Sequence, residues 1–289
     1  MTAPDVTGTG SPGDRRPDQG TTNHRKGPSA GIAGRLEAGR FAPDPAAAPV
    51  LCRVLAQARF DARMMISNGE QLLLLLVLPA LLLLALAFTR TPALGDGRRI
   101  DVATPGVLAL ALMSTAFTGQ AISTGFDRRY GVLRLLATTP LGRAGLLAGR
   151  SLAVLGILGV QTVLLGGLGL ALGWRPRVCG LVIGASGVLA GTASFVALGL
   201  LLAGTLRAEA VLAAANLVWV LLLAGGGVVL PPHRLGPLAG VATLLPSGAL
   251  GDFLRTACQS GRVDWNALTV LVTWGVVAGS AAARWFSWD

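Results

Sequence analysis

Lysine is all but missing from this chain: its 24 basic residues include a single lysine, Lys26, which follows Arg25. A P-loop needs a lysine directly after glycine to reach the terminal phosphates, so no nucleotide is held here by a Walker motif. Histidine occurs only at His24 and His233, which excludes the HExxH zinc helix and argues against a histidine-based triad. The serine of Gly184-Ala185-Ser186-Gly187 lacks the strand-to-helix elbow of a hydrolase. Cys52, Cys179 and Cys258 show neither metal-ligand spacing nor a disulfide framework, although a bond between Cys179 and Cys258 stays open. Charge is scarce as well. Only 13% of residues are charged, about half the share of a soluble domain, so the expected solvent is lipid.

What fills the chain is apolar: 52% of its 289 residues are hydrophobic and the mean hydropathy is +0.63. The net charge of +10 suggests nucleic acid at first sight. Residues 1–47 contribute only +1 of it, and the remainder flanks hydrophobic segments, where anionic headgroups attract arginine. No nucleic-acid partner is therefore expected, whereas membrane lipids are. Residues 1–47, rich in Gly, Pro, Thr and Asp without hydrophobic period, read as a disordered tail. The start of the chain has no apolar core of the signal-peptide type.

Residues 50–66 change character. On a helical wheel Leu51, Val54, Leu55, Ala58, Ala62, Met65 and Ile66 share one arc, with Arg53, Gln57, Asp61 and Arg63 opposite. This predicts an interfacial helix with its apolar face in the acyl boundary and Arg53, Arg59 and Arg63 at headgroups. Six stretches then suffice to cross a hydrocarbon core of about 30 Å: 71–88, 104–125, 146–173, 180–203, 210–230 and 266–283. Pro79 predicts a kink in the first. The fold expected from residues 48–289 is all-α, with six transmembrane helices behind an amphipathic one. Six spans place both termini on one side, and the arginine count favours cytoplasmic termini by only ten to eight.

No span interior contains Asp, Glu, Lys, Arg or His, which argues against a proton- or ion-coupled transporter. Ser114, Thr115, Thr118, Gln120, Gln161 and Asn216 are the polar groups left; they line a substrate path or make interhelical hydrogen bonds. Gly180, Gly184, Gly187, Gly191 and Ser194 fall on one helix face, and Gly159, Thr162, Gly166, Gly169 and Gly173 form a looser stripe. Both read as helix-packing surfaces, within the bundle or toward a second copy.

Residues 126–150, FDRRYGVLRLLATTPLGRAGLLAGR, interrupt the apolar sequence with more than a passive connector needs. They resemble the first cytoplasmic loop of ABC-2 type transporter permeases, the membrane subunits of ATP-driven exporters. Asp127 stands at the family's acidic position, Gly131, Leu133 and the pair Leu135-Leu136 match, and Thr139-Pro140 and Arg143 follow. Val132 and Arg134 depart from the usual Thr and Glu. Residues 225–261 are similar to the family's segment between spans five and six, with Pro246 after a Leu-Leu pair and Asp252 and Arg255 as its Asp-x-x-Arg ending.

The resemblance implies a permease that is half of a membrane channel in the bacterial cytoplasmic membrane, with cytoplasmic termini. It would be completed by a second copy or a related permease and driven by two copies of a separate ABC ATP-binding subunit. ATP and Mg would sit on that subunit, with no cofactor or metal on this chain and no catalysis by it. Asp127, Arg128, Arg129, Tyr130, Gly131, Leu133, Arg134, Leu136, Pro140 and Arg143 would then form the surface coupled to the ATPase. Ser114, Thr118, Gln120, Gln161 and Asn216 are candidates for the substrate path, and Pro246, Asp252 and Arg255 for an outer gate. The expected cargo is a hydrophobic or amphiphilic small molecule. A membrane scaffold or immunity protein, or an integral membrane enzyme, are the alternatives to this reading.

Overall fold

The computed structural model describes residues 48–67, 69, 73–89, 98–137, 141–231 and 235–285. The N-terminal 47 residues, and with them the expected tail, lie outside this set. The described chain is helical, with no strand among the described residues. Its elements are α1 (Val50–Ser67), a π-turn (Leu73–Val77) running into α2 (Leu78–Phe88), and α3 (Arg99–Met113), a second π-turn (Ser114–Gly119) and α4 (Gln120–Arg129) in one unbroken rod. Then come α5 (Val132–Ala137), α6 (Gly142–Ala171), α7 (Val178–Thr205), α8 (Ala208–Gly226), α9 (Ala239–Leu244), α10 (Pro246–Ser260) and α11 (Trp265–Trp285).

Five helices among the described residues are long and apolar enough to cross a membrane: Arg99–Arg129, Gly145–Ala171, Val178–Thr205, Ala208–Gly226 and Trp265–Trp285. The stretch expected as the first span is a shorter apolar helix, Leu75–Phe88. Of the five, Arg99–Arg129 is the axis. Its apolar window is 83% buried, against 22–39% for the others, so the remaining helices are arranged around it. Phe117 on this rod, Phe195 on α7 and Phe253 on α10 are the largest fully buried side chains of the core they share.

Lipid is as apolar as leucine, so these helices are held by close packing rather than by a hydrophobic drive between them. One close approach is α7 against α10. A Cβ on Gly180 would lie 2.1 Å from the Ala257 carbonyl oxygen, and one on Gly187 would lie 2.2 Å from the Phe253 ring. Gly191 meets Leu250 and Gly184 meets Leu254, while Ser194 Oγ donates to the Leu271 carbonyl of α11. The tight glycine stripe is thus filled by the same chain, through a helix that the sequence marks only as a short segment.

Prolines inside the rods leave carbonyls without their helical donors, and each is answered from another helix. Pro105 in α3 has no N–H for the Asp101 carbonyl four residues back; Gln259 Nε2 of α10 donates to it at 3.1 Å. Pro79 at the start of α2 likewise leaves the Leu75 carbonyl, and Gln161 Nε2 of α6 donates there. The π-turn Leu73–Val77 ends two residues before Pro79.

Helix α1 is present where the wheel places an amphipathic helix. It lies along α6 through Val54, Gln57, Ala58 and Asp61: Gly149 of α6 sits against the Gln57 side chain and the Val54 carbonyl. Leu51, Leu55 and Ile66 of the apolar arc are exposed, as are Phe60 and Met64 outside it. Gln57 and Asp61 of the polar face lie toward α6, where Arg150 attracts Asp61, a tertiary contact that the wheel does not contain.

Candidate functional site

The rod's far end, α4, finishes at Tyr130, and Gly131 turns the chain through the left-handed region at φ 71° into α5. A second left-handed glycine, Gly142 at φ 68°, opens α6, so α5 is a short helix slung between two glycine turns. Three charged residues anchor the end of α4 to three neighbours. Asp127 accepts an ion-paired hydrogen bond from Arg150 of α6, whose other Nη donates to Thr124 at 3.1 Å. Arg128 donates to the carbonyls of Gly204, at 2.8 Å, and Leu206, and so closes the C-terminus of α7. Arg129 pairs with Glu209 in the first turn of α8.

Three residues expected to meet a partner, Asp127, Arg128 and Arg129, make ionic or hydrogen-bond contacts within the chain that spacing along the sequence does not reveal. The outward surface of the corner is made by Tyr130, 72% exposed and stacked on Phe126 at 6.2 Å, with Val132 and Leu135 beside it. Leu133 points the other way and is buried. The side chains of Arg134, Leu136 and Arg143, and Pro140 altogether, lie outside the described residues.

Asp61 completes this end of the molecule. It accepts from Gln57 Nε2 at 2.9 Å, and its second oxygen is buried with no hydrogen bond. Burial raises its pKa above the ordinary carboxylate value, against the hydrogen bond from Gln57 and the attraction of Arg150. Of the arginines on α1, Arg59 and Arg63 are exposed, as expected at a headgroup layer, and Arg53 is half-buried.

A second polar group lies within the bundle at the π-turn of the rod. Trp219 Nε1 of α8 donates to Ser114 Oγ at 2.9 Å, and Thr115 Oγ1 donates to Gln161 Oε1 at 3.1 Å. Through Gln161 this seam reaches the Leu75 carbonyl in the other π-turn. Gln120 is buried, and its Oε1, like Thr118 Oγ1, is without a hydrogen bond among the described residues. Ser114, Thr118, Gln120 and Gln161 therefore gather around one irregular stretch of helix. Asn216 does not join them, being exposed on α8. π-turns are common at functional positions, and this pair was not legible beforehand, since only Pro79 marks either.

At the opposite end, Pro246 starts α10 and is buried, its ring occupying the first helical turn where no N–H is needed. Arg255, 6% exposed, donates to the carbonyls of Val228 at 2.9 Å and Gly227 at 3.1 Å, and to Asp252 at 2.8 Å. The guanidinium thereby fastens α10 to the carbonyls that follow α8. Ser247 Oγ adds a bond to the Leu222 carbonyl. Cys179 is exposed and Cys258 buried, both as free thiols, and burial pushes the Cys258 thiol up to about 11.

No group of three His, Cys, Asp or Glu side chains able to hold a metal occurs among the described residues. Chemically, the arrangement offers anchored helix ends and a polar seam. No protein-family model and no curated protein matches this chain.

Proposed function

We propose that the chain is the membrane-spanning permease subunit of an ATP-driven exporter, moved by a separate ATPase and acting on a hydrophobic or amphiphilic small molecule. The observation that carries this reading is the α4–α5 corner. Its exposed surface is Tyr130, Val132 and Leu135, while the same corner is tied to α6, α7 and α8 by Arg150, Arg128 and Glu209. A push on α5 is thus delivered to the core rod and three surrounding helices together. A chain without a nucleotide-binding loop needs such a handle, and the resemblance of residues 126–150 to the ABC-2 loop agrees with it. On this reading α1 and α5 lie at the cytoplasmic side, the Leu75–Phe88 helix is a sixth span, and the π-turn seam lies along the cargo's route.

The test is co-purification of the membrane-inserted chain with an ABC ATP-binding subunit. Leu135→Asp and Tyr130→Ala, both on the exposed side, should each weaken capture by tenfold or more, as buried interface anchors do on truncation. Membrane insertion and melting temperature should stay at parental values. Retained capture and retained export in both variants would remove the corner from the coupling role.

A further inference from the structure

Helices α6 and α7 are joined by only six residues, 172–177, yet they make few contacts with each other. Between them runs an apolar furrow of about 620 Å³, floored by the core rod and by Leu254 of α10. A further 430 Å³ extends it past Leu155 and Leu189 toward the α11 side. On α6 the main furrow runs from Leu155 to Leu170, about 22 Å at about 1.5 Å per residue.

The ends of the furrow are not alike. At the α6–α7 turn it is bounded by the buried Trp174 and by Pro176, and Arg175 and Arg177 on either side of that proline are exposed. Arg98 and Asp101 stand nearby: Arg98 donates to the Gly173 carbonyl, and Asp101 accepts from the Arg175 backbone N–H at 3.3 Å. Three arginines against one aspartate leave that mouth positive. The wall itself is open where a chain would lie, since a Cβ on Gly159 or Gly167 would have nothing within 4 Å.

We propose that this furrow seats one acyl chain of an anionic phospholipid, with its phosphate held at the Arg175–Arg177 mouth. The apolar lining suits a hydrocarbon chain, and the positive charge at one end selects an anionic headgroup. This lipid site goes beyond the transport role and stands whether or not an ATPase couples to α5.

Native mass spectrometry of the full chain, extracted from vesicles of equal phosphatidylglycerol and phosphatidylcholine, tests it. The parent chain should retain one phospholipid, enriched in phosphatidylglycerol by roughly fivefold or more, the preference expected from even one arginine near an anionic headgroup. Gly159→Leu with Gly167→Leu fills the slot and should lower retention about tenfold. Arg175→Gln with Arg177→Gln leaves the slot intact and should keep a lipid while abolishing the preference. The proposal is overturned if the parent retains no lipid above the filled variant, or if the double glutamine variant keeps the preference. It is likewise overturned if Val163→Cys, on the furrow's wall, cross-links chain to chain in membranes well above the parent background, because the furrow is then an interface between copies.

Discussion

Two glycine stripes on neighbouring helices meet opposite fates. On α7, Gly180 and Gly187 are pressed against the Ala257 backbone and the Phe253 ring of α10 so tightly that a side chain would collide, and Gly191 lies against the Leu250 side chain. On α6, Gly159 faces open space and Gly166 barely reaches Trp174, while only the turn end of that stripe, at Gly169 against Thr104, is closed. Composition and spacing are nearly the same in the two stripes. What differs is the partner: α10 offers Leu250, Phe253 and Ala257 at matching spacing, and nothing comparable lies opposite the middle of α6. A run of small residues thus states that a surface can be approached closely, and leaves open what approaches.

The sharpest way to break this comparison is to make one substitution on both stripes. Gly180→Ala places a methyl 2.1 Å from a backbone oxygen, which can yield only if α10 moves. We expect a loss of about 3 kcal/mol, the upper range for overpacking, read as a lowered unfolding midpoint in detergent. Gly159→Ala carries the same change in helix propensity without the collision, and should stay within about 0.5 kcal/mol of the parent. Equal losses in the two variants would show that α10 does not dock on α7 as described.

Much of the fold was legible because helices in lipid need long apolar runs, and those runs marked the five long helices directly. The stripes and the polar residues of the spans were also visible as residues. Their partners were not, since Gln259 meets Asp101 and Gln161 meets Leu75 across long intervals of sequence. The corner shows the same limit. Tyr130 is exposed, but Leu133 of the expected surface is buried and its neighbour Leu135 is exposed, and the contacts of Asp127, Arg128 and Arg129 with Arg150, the α7 terminus and Glu209 span long intervals of sequence. For α1, the wheel ranked faces by polarity, but the contact of Gln57 with Gly149 of α6 lies outside what a single helix can state.

The proline contacts separate the two regions at smaller scale. Gln259 serves the closed α10 side, whereas Gln161 serves the looser α2–α6 side. Gln161→Leu should cost about 1 kcal/mol, within the range for interhelical hydrogen bonds in membranes. In a Pro79→Ala background the carbonyl regains a backbone donor, so the cost of Gln161→Leu should fall by about half. A double-mutant cycle on unfolding midpoints measures this coupling, and additive effects would detach Gln161 from the proline.

The smallest effect expected lies where α1 meets α6. Asp61 is held among Gln57, Arg150 and Asp127, and its burial raises the folded pKa above the unfolded value. A carboxyl with a raised folded pKa favours folding when protonated; its contribution is full below the unfolded pKa, near 4, and is lost as pH rises through the folded one. At neutral pH the buried charge is therefore a net burden, despite Arg150. Asp61→Asn keeps an acceptor for Gln57 and removes that charge, so it should raise the unfolding midpoint at pH 7 by about 1–2 °C. The gain should shrink as pH falls through the folded pKa, where the parent carboxyl is itself protonated. A destabilised variant at pH 7 would mean that the attraction of Arg150 outweighs desolvation, and that α1 is fastened to α6 by an ion pair rather than by the fit of Gln57 and Val54 over Gly149.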